Sequence, residues 1–278
     1  MSDLKSVLVH LDSSPGVEVR LRLATLLAHD HEAELIGLYA ISSIGAEFVF
    51  AVAGDAGSLA LLRETEEAKR LRARTAFHEL TAGLGARAIW TEVAVRADQG
   101  LARRTRLADL VVLGQFEPGS AARDGLDASF VASAIVDSGR PALVIPYALS
   151  KGAHPAPRVA VVAWKNSRES ARAASAALPL LRRCRSVHVT TWEEGEDERL
   201  EAPFDIAHFL SLHGVPCILH RNGPIEAIGD AMLSFAADVS AELLVMGCFG
   251  HWRVREWAFG GATRSILQSM TLPVLMAH

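Results

Sequence analysis

Short apolar runs alternate along this chain with longer stretches whose apolar positions recur every three or four residues. Residues 5–11, 34–39, 88–93, 110–114 and 141–145 read as strands. So do 158–163, 186–191, 217–220, 243–247 and 273–276. The runs are short and rich in Val, Ile and Leu, as buried parallel strands are. Between them lie helical patterns at 17–29, 61–84, 168–183 and 204–213, with a third helix in each half before the fourth strand. Leu23, Leu26 and Leu27 mark one buried face, and Ala174, Ala177, Leu178 and Leu181 mark another. Strand–helix alternation of one polarity predicts doubly wound parallel sheets, whose ligands sit at the strands' carboxyl ends.

The pattern occurs twice. Ser14 falls on Ser167, Gly114 on Gly247 and Pro141 on Pro273. The first copy therefore carries about 20 extra residues, most of them in 42–60, where Phe48, Val49, Phe50 and Val52 either line a cavity or plug the first copy's site. Residues 147–157, with Lys151-Gly152 and two prolines, read as a linker. The expected domains are 1–147 and 156–278.

A glycine-anchored loop distinguishes the copies. In the second, Leu243-Leu244-Val245 leads into Met246-Gly247-Cys248-Phe249-Gly250, and nine residues later come Gly260-Gly261-Ala262-Thr263 and a helical pattern. Strand, glycine loop and helix N-terminus together can hold a phosphate on backbone N–H groups. They can equally form a tight turn with no ligand. In the first copy, Gly114 is followed by Gln115-Phe116-Glu117-Pro118, without the second glycine.

Composition narrows the function classes. The chain has 278 residues, half of them apolar, enough for two cores. A net charge of −4 gives no electrostatic case for nucleic acid. No leader or membrane-length apolar run is seen, so a cytoplasmic location is expected. The three cysteines, Cys184, Cys217 and Cys248, form no C-x-x-C pair, and the 11 histidines show no metal-ligand spacing. No G-x-S-x-G elbow, P-loop or S-G-G-x-D-S loop occurs, so no catalytic residue is named and at most a weak ATPase is expected.

The duplicated β-α pattern, the Gly247-x-x-Gly250-(nine residues)-Gly260 spacing, Ala262-Thr263 and the Thr271-Leu272-Pro273-Val274-Leu275 ending resemble a tandem universal stress protein over nearly the whole chain. That resemblance implies two five-stranded, mostly parallel domains of the adenine nucleotide α-hydrolase kind, packed as an intrachain pseudo-dimer through their final strands. It also implies an adenine nucleotide, ATP or AMP with Mg²⁺, held by Ala163, Lys165, Trp192, Met246, Gly247, Gly250, His251, Gly260, Gly261, Ala262 and Thr263. Two departures stand out. Gly261 replaces the usual hydroxyl residue, and Lys165 replaces an acid by the nucleoside, which Asp12 retains in the first copy. A lysine donates only.

Each of these residues has a plainer reading. Asp12 with Ser13 and Ser14 caps the first helix, and Thr263 caps the last. Lys165 and His251 are solvated loop residues, Trp192 packs, and Trp252 and Trp257 cover a site or meet a partner. Arg63 to Arg74 and the acidic run 193–198 are solvated faces, with Glu66–Arg70 as an i,i+4 pair. Cys248 is either inert or a thiol activated by the nearby helix N-terminus. The expected function is a stress-response regulator binding nucleotide in the second domain. Its rival is a nucleotide-free interaction module meeting an unknown protein partner or a second copy of the chain.

Overall fold

The computed structural model describes residues 4–40, 56–93, 103–117, 130–149, 157–192, 203–249 and 261–278. The chain divides into two compact units, one built on Leu4–Arg140 with Tyr147–Lys151, the other on Gly152–His278 with Pro141–Pro146.

In the N-terminal unit, β1 (Ser6–Leu11), α1 (Val17–Asp30), β2 (Glu34–Ala40) and α2 (Ala56–Thr81) alternate as expected. A 3₁₀ segment, Ala82–Arg87, leads to β3 (Ala88–Val93), then β4 (Leu110–Gly114) and α3 (Phe130–Ser138). The sheet order is β3-β2-β1-β4 and every pairing is parallel. The helix predicted over 61–84 runs over Ala56–Thr81, and within the 3₁₀ segment that follows Gly85, at φ +57°, turns the chain toward β3. Phe77 of α2 is fully buried where Gly37 leaves room, since a Cβ there would lie 2.5 Å from its ring. The third helix expected in this copy falls largely in 94–102, outside the described residues.

The C-terminal unit holds β6 (Val159–Ala163), α4 (Arg168–Leu181), β7 (Ser186–Trp192), α5 (Ile206–Leu212), β8 (Ile218–Asn222), α6 (Ile228–Asp238), β9 (Leu243–Gly247), α7 (Gly261–Ser269) and β10 (Val274–Ala277). Beyond β10 lies β5 (Ala142–Ile145), giving the order β5-β10-β9-β6-β7-β8. Only β5 runs antiparallel, with Leu143 opposite Leu275, the pairing of final strands that the sequence suggested. It covers what would be an apolar edge.

The duplication extends to detail. Asp109 Oδ2 accepts the Lys5 N–H at 2.8 Å, and Glu242 Oε2 accepts the Arg158 N–H at the same place in the second copy. On the helix faces, Leu23 and Leu27 are buried but Leu26 is 37% exposed, so the face of α1 turns away from that position. Ala174, Ala177, Leu178 and Leu181 are all buried. On α2, Glu66 pairs with Lys69, while Arg70 pairs with Glu67 and Glu92; the i,i+4 pair of the sequence reading is replaced by i,i+3 pairs.

Candidate functional site

In each unit the order of strands reverses beside the first strand, at β1/β4 and at β6/β9, and the carboxyl ends there are where open parallel sheets form their ligand crevice. The two crevices are furnished differently.

In the N-terminal unit a side chain of the protein itself enters the crevice. Arg20 of α1, 3% exposed, sends Nε to the His10 carbonyl at 2.7 Å and brings Nη2 to 2.8 Å from Asp12 Oδ2. The Nη2 contact is an ion pair at poor hydrogen-bond alignment. A Cβ on Gly114 would lie 2.0 Å from Arg20 Nη1, so the guanidinium occupies the place a side chain there would take. Contrary to the expectation from sequence, Asp12 does not cap α1; Gly16 holds the N-cap position without a side-chain bond. The Asp12 carboxylate instead accepts from Ser14 N and Oγ at 3.0 and 2.6 Å. Burial works to raise its pKa, but Arg20 above all, with His10 and Ser14, brings it down to about 2. His10 is buried against Phe130 at 4.8 Å. Burial lowers its pKa to about 4, Arg20 adding to the effect and Asp12 opposing it. Gln115, where the second copy's loop begins, is buried and accepts the Tyr147 N–H at 3.2 Å.

In the C-terminal unit the repeat puts Lys165 at the place of Asp12 and Ala173 at that of Arg20, so neither half of the ion pair is present. Ala163 closes β6 and is buried; Lys165 is exposed. Ser167 caps α4, accepting the Ser170 N–H at 3.2 Å. A Cβ on Gly247 would lie 2.5 Å from Ser170 N, so this glycine lets the first turn of α4 rest on the end of β9. Met246 pairs with Ala163 on one side and Met276 on the other. Phe249 takes a left-handed φ of 59° and turns the chain off β9. Trp192 ends β7 half-buried. Gly261, exposed, opens α7; Ala262 follows, and Thr263 is buried within the first turn. Thr263 is thus inside the helix rather than at its cap. Gly250, His251 and Gly260, like Trp252, Trp257, the segment 42–55 and the acidic run 193–198, lie outside the described residues.

Two residues here escaped the sequence reading. Arg20 was legible, since it sits one helical turn before Leu23 on the apolar face of α1 and a charge there needs a buried partner. Glu169 was not. Nothing in the Ser-Arg-Glu-Ser run marks it as 4% exposed. Its pKa is lowered: burial opposes ionisation, but bonds from its own N–H and Ser167 outweigh it. Among the described residues no group of three or more metal-ligating side chains occurs.

Burial and nearby carboxylates hold the thiols protonated. Cys248 is 2% exposed, and burial, then Glu169, pushes its pKa far up. Burial lifts Cys184 to about 11 and raises Cys217 too. Native protein at pH 8 is therefore expected to alkylate slowly at all three, and the unfolded chain to take three adducts, as read by intact mass. Rapid labelling of Cys248 alone would contradict this burial.

No protein-family model and no curated protein matches the chain. Solved structures do. A universal stress protein from Archaeoglobus fulgidus DSM 4304 superposes at a TM-score of 0.67 with 14% identity, covering 98% of this chain and 95% of that one. A putative universal stress protein from Pseudomonas aeruginosa UCBPP-PA14 gives 0.61 and 16%, covering 98% and 92%. A functionally unknown protein from Pseudomonas aeruginosa PAO1 gives 0.59 and 15%, with the same coverages. At such identities the match speaks for the backbone alone, and what it says is that this chain has the universal stress protein fold across nearly its whole length.

Proposed function

We propose that the protein is a non-catalytic regulator that binds an adenine nucleotide in its C-terminal unit, with the N-terminal unit as scaffold. The observation that carries this reading is the difference between the crevices. Arg20 fills the first over Gly114, whereas the second has Ala173 at that place and an exposed lysine, Lys165, at its rim. The residues of the second fit a phosphate. Gly261 starts α7, and the N–H groups of a helix's first turn can receive an anion. The same reading assigns the phosphate contacts to Met246, Gly247, Ala262 and Thr263, and to Gly250, His251 and Gly260, which lie outside the described residues. Lys165 serves the phosphates, and Ala163 and Trp192 lie on the nucleoside side. A bound nucleotide would supply charge and stacking surface; the chain supplies binding and orientation. No helix among the described residues is long and apolar enough to cross a membrane.

The test is thermal. Saturating ATP or AMP with Mg²⁺, at about 100 times its dissociation constant, should add about 2.7 kcal/mol of stability. Gly261→Asp separates binding from folding. The added carboxylate favours the helix N-terminus but repels phosphate, so the unliganded protein should melt no lower while the nucleotide shift disappears. An undiminished shift in this variant would place the nucleotide elsewhere.

The nucleotide-free interaction module has one observation of its own, the β5–β10 pairing, which gives the C-terminal unit a sixth strand without any ligand. A wild-type protein that neither retains adenine on purification nor shifts with ATP or AMP would favour it.

A further inference from the structure

In the N-terminal unit α2 outruns the core it packs on. It is 26 residues long, about 39 Å, yet its buried side chains, Ala73, Phe77 and Thr81, all fall toward its C-terminal end. Among the described residues of 57–72 none is buried. A helix gains most of its stability by packing one face, so a half that extends past its own core calls for a partner. The outward row is Leu61, Glu64, Ala68, Leu71, Thr75 and His78, spaced by alternating threes and fours as in a two-helix seam. Every member of it is exposed, Leu61 by 65% and Leu71 by 62%. Ala73 and Phe77 face the other way, into the unit.

The order of charges along this face names the occupant. Glu64 and Glu67 precede the Ala68–Leu71 step, and Arg72 and Arg74 follow it. Arg63 falls in the row of Arg70 and Phe77, behind the face, and Glu79 lies at its far end. Two such helices laid antiparallel bring each acidic stretch to the other's basic one, about a two-fold axis that needs only one kind of surface. Laid parallel, they would set Glu67 on Glu67 and Arg74 on Arg74. We infer that the outward face of α2 is the contact between two copies of this chain, paired antiparallel across Ala68 and Leu71. In that register Leu71 of each copy packs on Ala68 of the other, Glu64 on Thr75 and Leu61 on His78. Glu67 of each copy flanks the seam beside Arg74 of the other. Arg70 of the same helix holds Glu67 from the inner side, but the Glu67 side chain is 65% exposed, so a second guanidinium can reach it. A short apolar seam with exposed ion pairs makes a weak, salt-sensitive dimer.

Sedimentation velocity of the full wild-type chain, at low salt and rising concentration, should show a monomer–dimer equilibrium that NaCl weakens. Leu71→Glu acts twice across a two-fold contact and should weaken it by about tenfold or more. Glu67→Arg and Arg74→Glu should each be monomeric over the same range, because each brings like charges together. Mixed in equal amounts, these two variants should dimerise again, since one then presents two arginines and the other two glutamates. The double variant Glu67→Arg/Arg74→Glu should pair with itself. All three positions are exposed, and far-UV dichroism matching the wild type shows that each variant is folded. The mixing arm compares the variants only with one another, so a small loss of stability in either does not blur it. A wild type monomeric throughout, a dimer indifferent to every substitution, or monomeric variants that do not associate on mixing would overturn the assignment.

Discussion

Replacing Arg20 by methionine should lower the unfolding free energy by about 3–5 kcal/mol at neutral pH, the usual cost of stripping one partner from a buried ion pair. Methionine keeps most of the volume, so the loss reports charge rather than a cavity. What it leaves is the Asp12 carboxylate, 11% exposed, with Ser14 bonded to it and His10 at 3.7 Å. Whole-protein stabilities are about 5–15 kcal/mol, so the change is large enough to read by urea denaturation. Asp12→Asn alone should also destabilise, because the guanidinium then loses its counter-charge. The double variant should recover much of the loss, since a neutral pair has no uncompensated charge. Strict additivity of the two changes, or a single Arg20→Met cost below about 1 kcal/mol, would mean that Arg20 is a solvated side chain rather than the filling of the crevice.

How much of this was written in the sequence depends on the range of the interaction. Periodicity located the strands, because burial on both faces leaves an apolar run that needs no partner to be recognised. The repeat supplied the topology, and glycine spacing marked the ends of β4 and β9. Local patterns served less well where a distant group competes. Asp12 followed by Ser13 and Ser14 looks like a helix cap in isolation, yet Arg20 draws the carboxylate to the other side of the turn. Leu26 looks like its neighbours Leu23 and Leu27, but a face only one stripe wide leaves it 37% exposed. Gly247 and Gly114 look alike in sequence and do different work. One admits the backbone of α4, the other the tip of Arg20. The hydrogen bond between the His188 and His220 imidazoles depends on the register of two strands about thirty residues apart, which no local pattern encodes.

The same buried cluster sets the response to acid. Burial lowers the His10 pKa to about 4 in the fold, against an ordinary value of 6.5, so the folded state holds it neutral. Above pH 6.5 it is neutral in both states and costs nothing. As pH falls from 6.5 to 4 the unfolded chain takes up a proton that the folded chain refuses, and stability falls by about 3 kcal/mol. His188, also lowered, acts in the same direction. Asp12 extends the loss. Its folded value of about 2 lies below the ordinary 3.8, so its stabilisation is whole above pH 3.8 and is lost between there and 2. The wild type should therefore weaken steadily on acidification through the range where histidines titrate. His10→Leu removes one proton site. Whatever it costs at pH 8 through the lost bond geometry, its stability curve between pH 6.5 and 4 should be flatter than the wild type's by about 3 kcal/mol. Urea midpoints at several pH values give the difference, and the His10 imidazole resonance gives the titration directly. Parallel curves for the two proteins, or a His10 resonance that titrates near 6.5, would show that the imidazole is not held in the dry, Arg20-facing position that closes the first crevice.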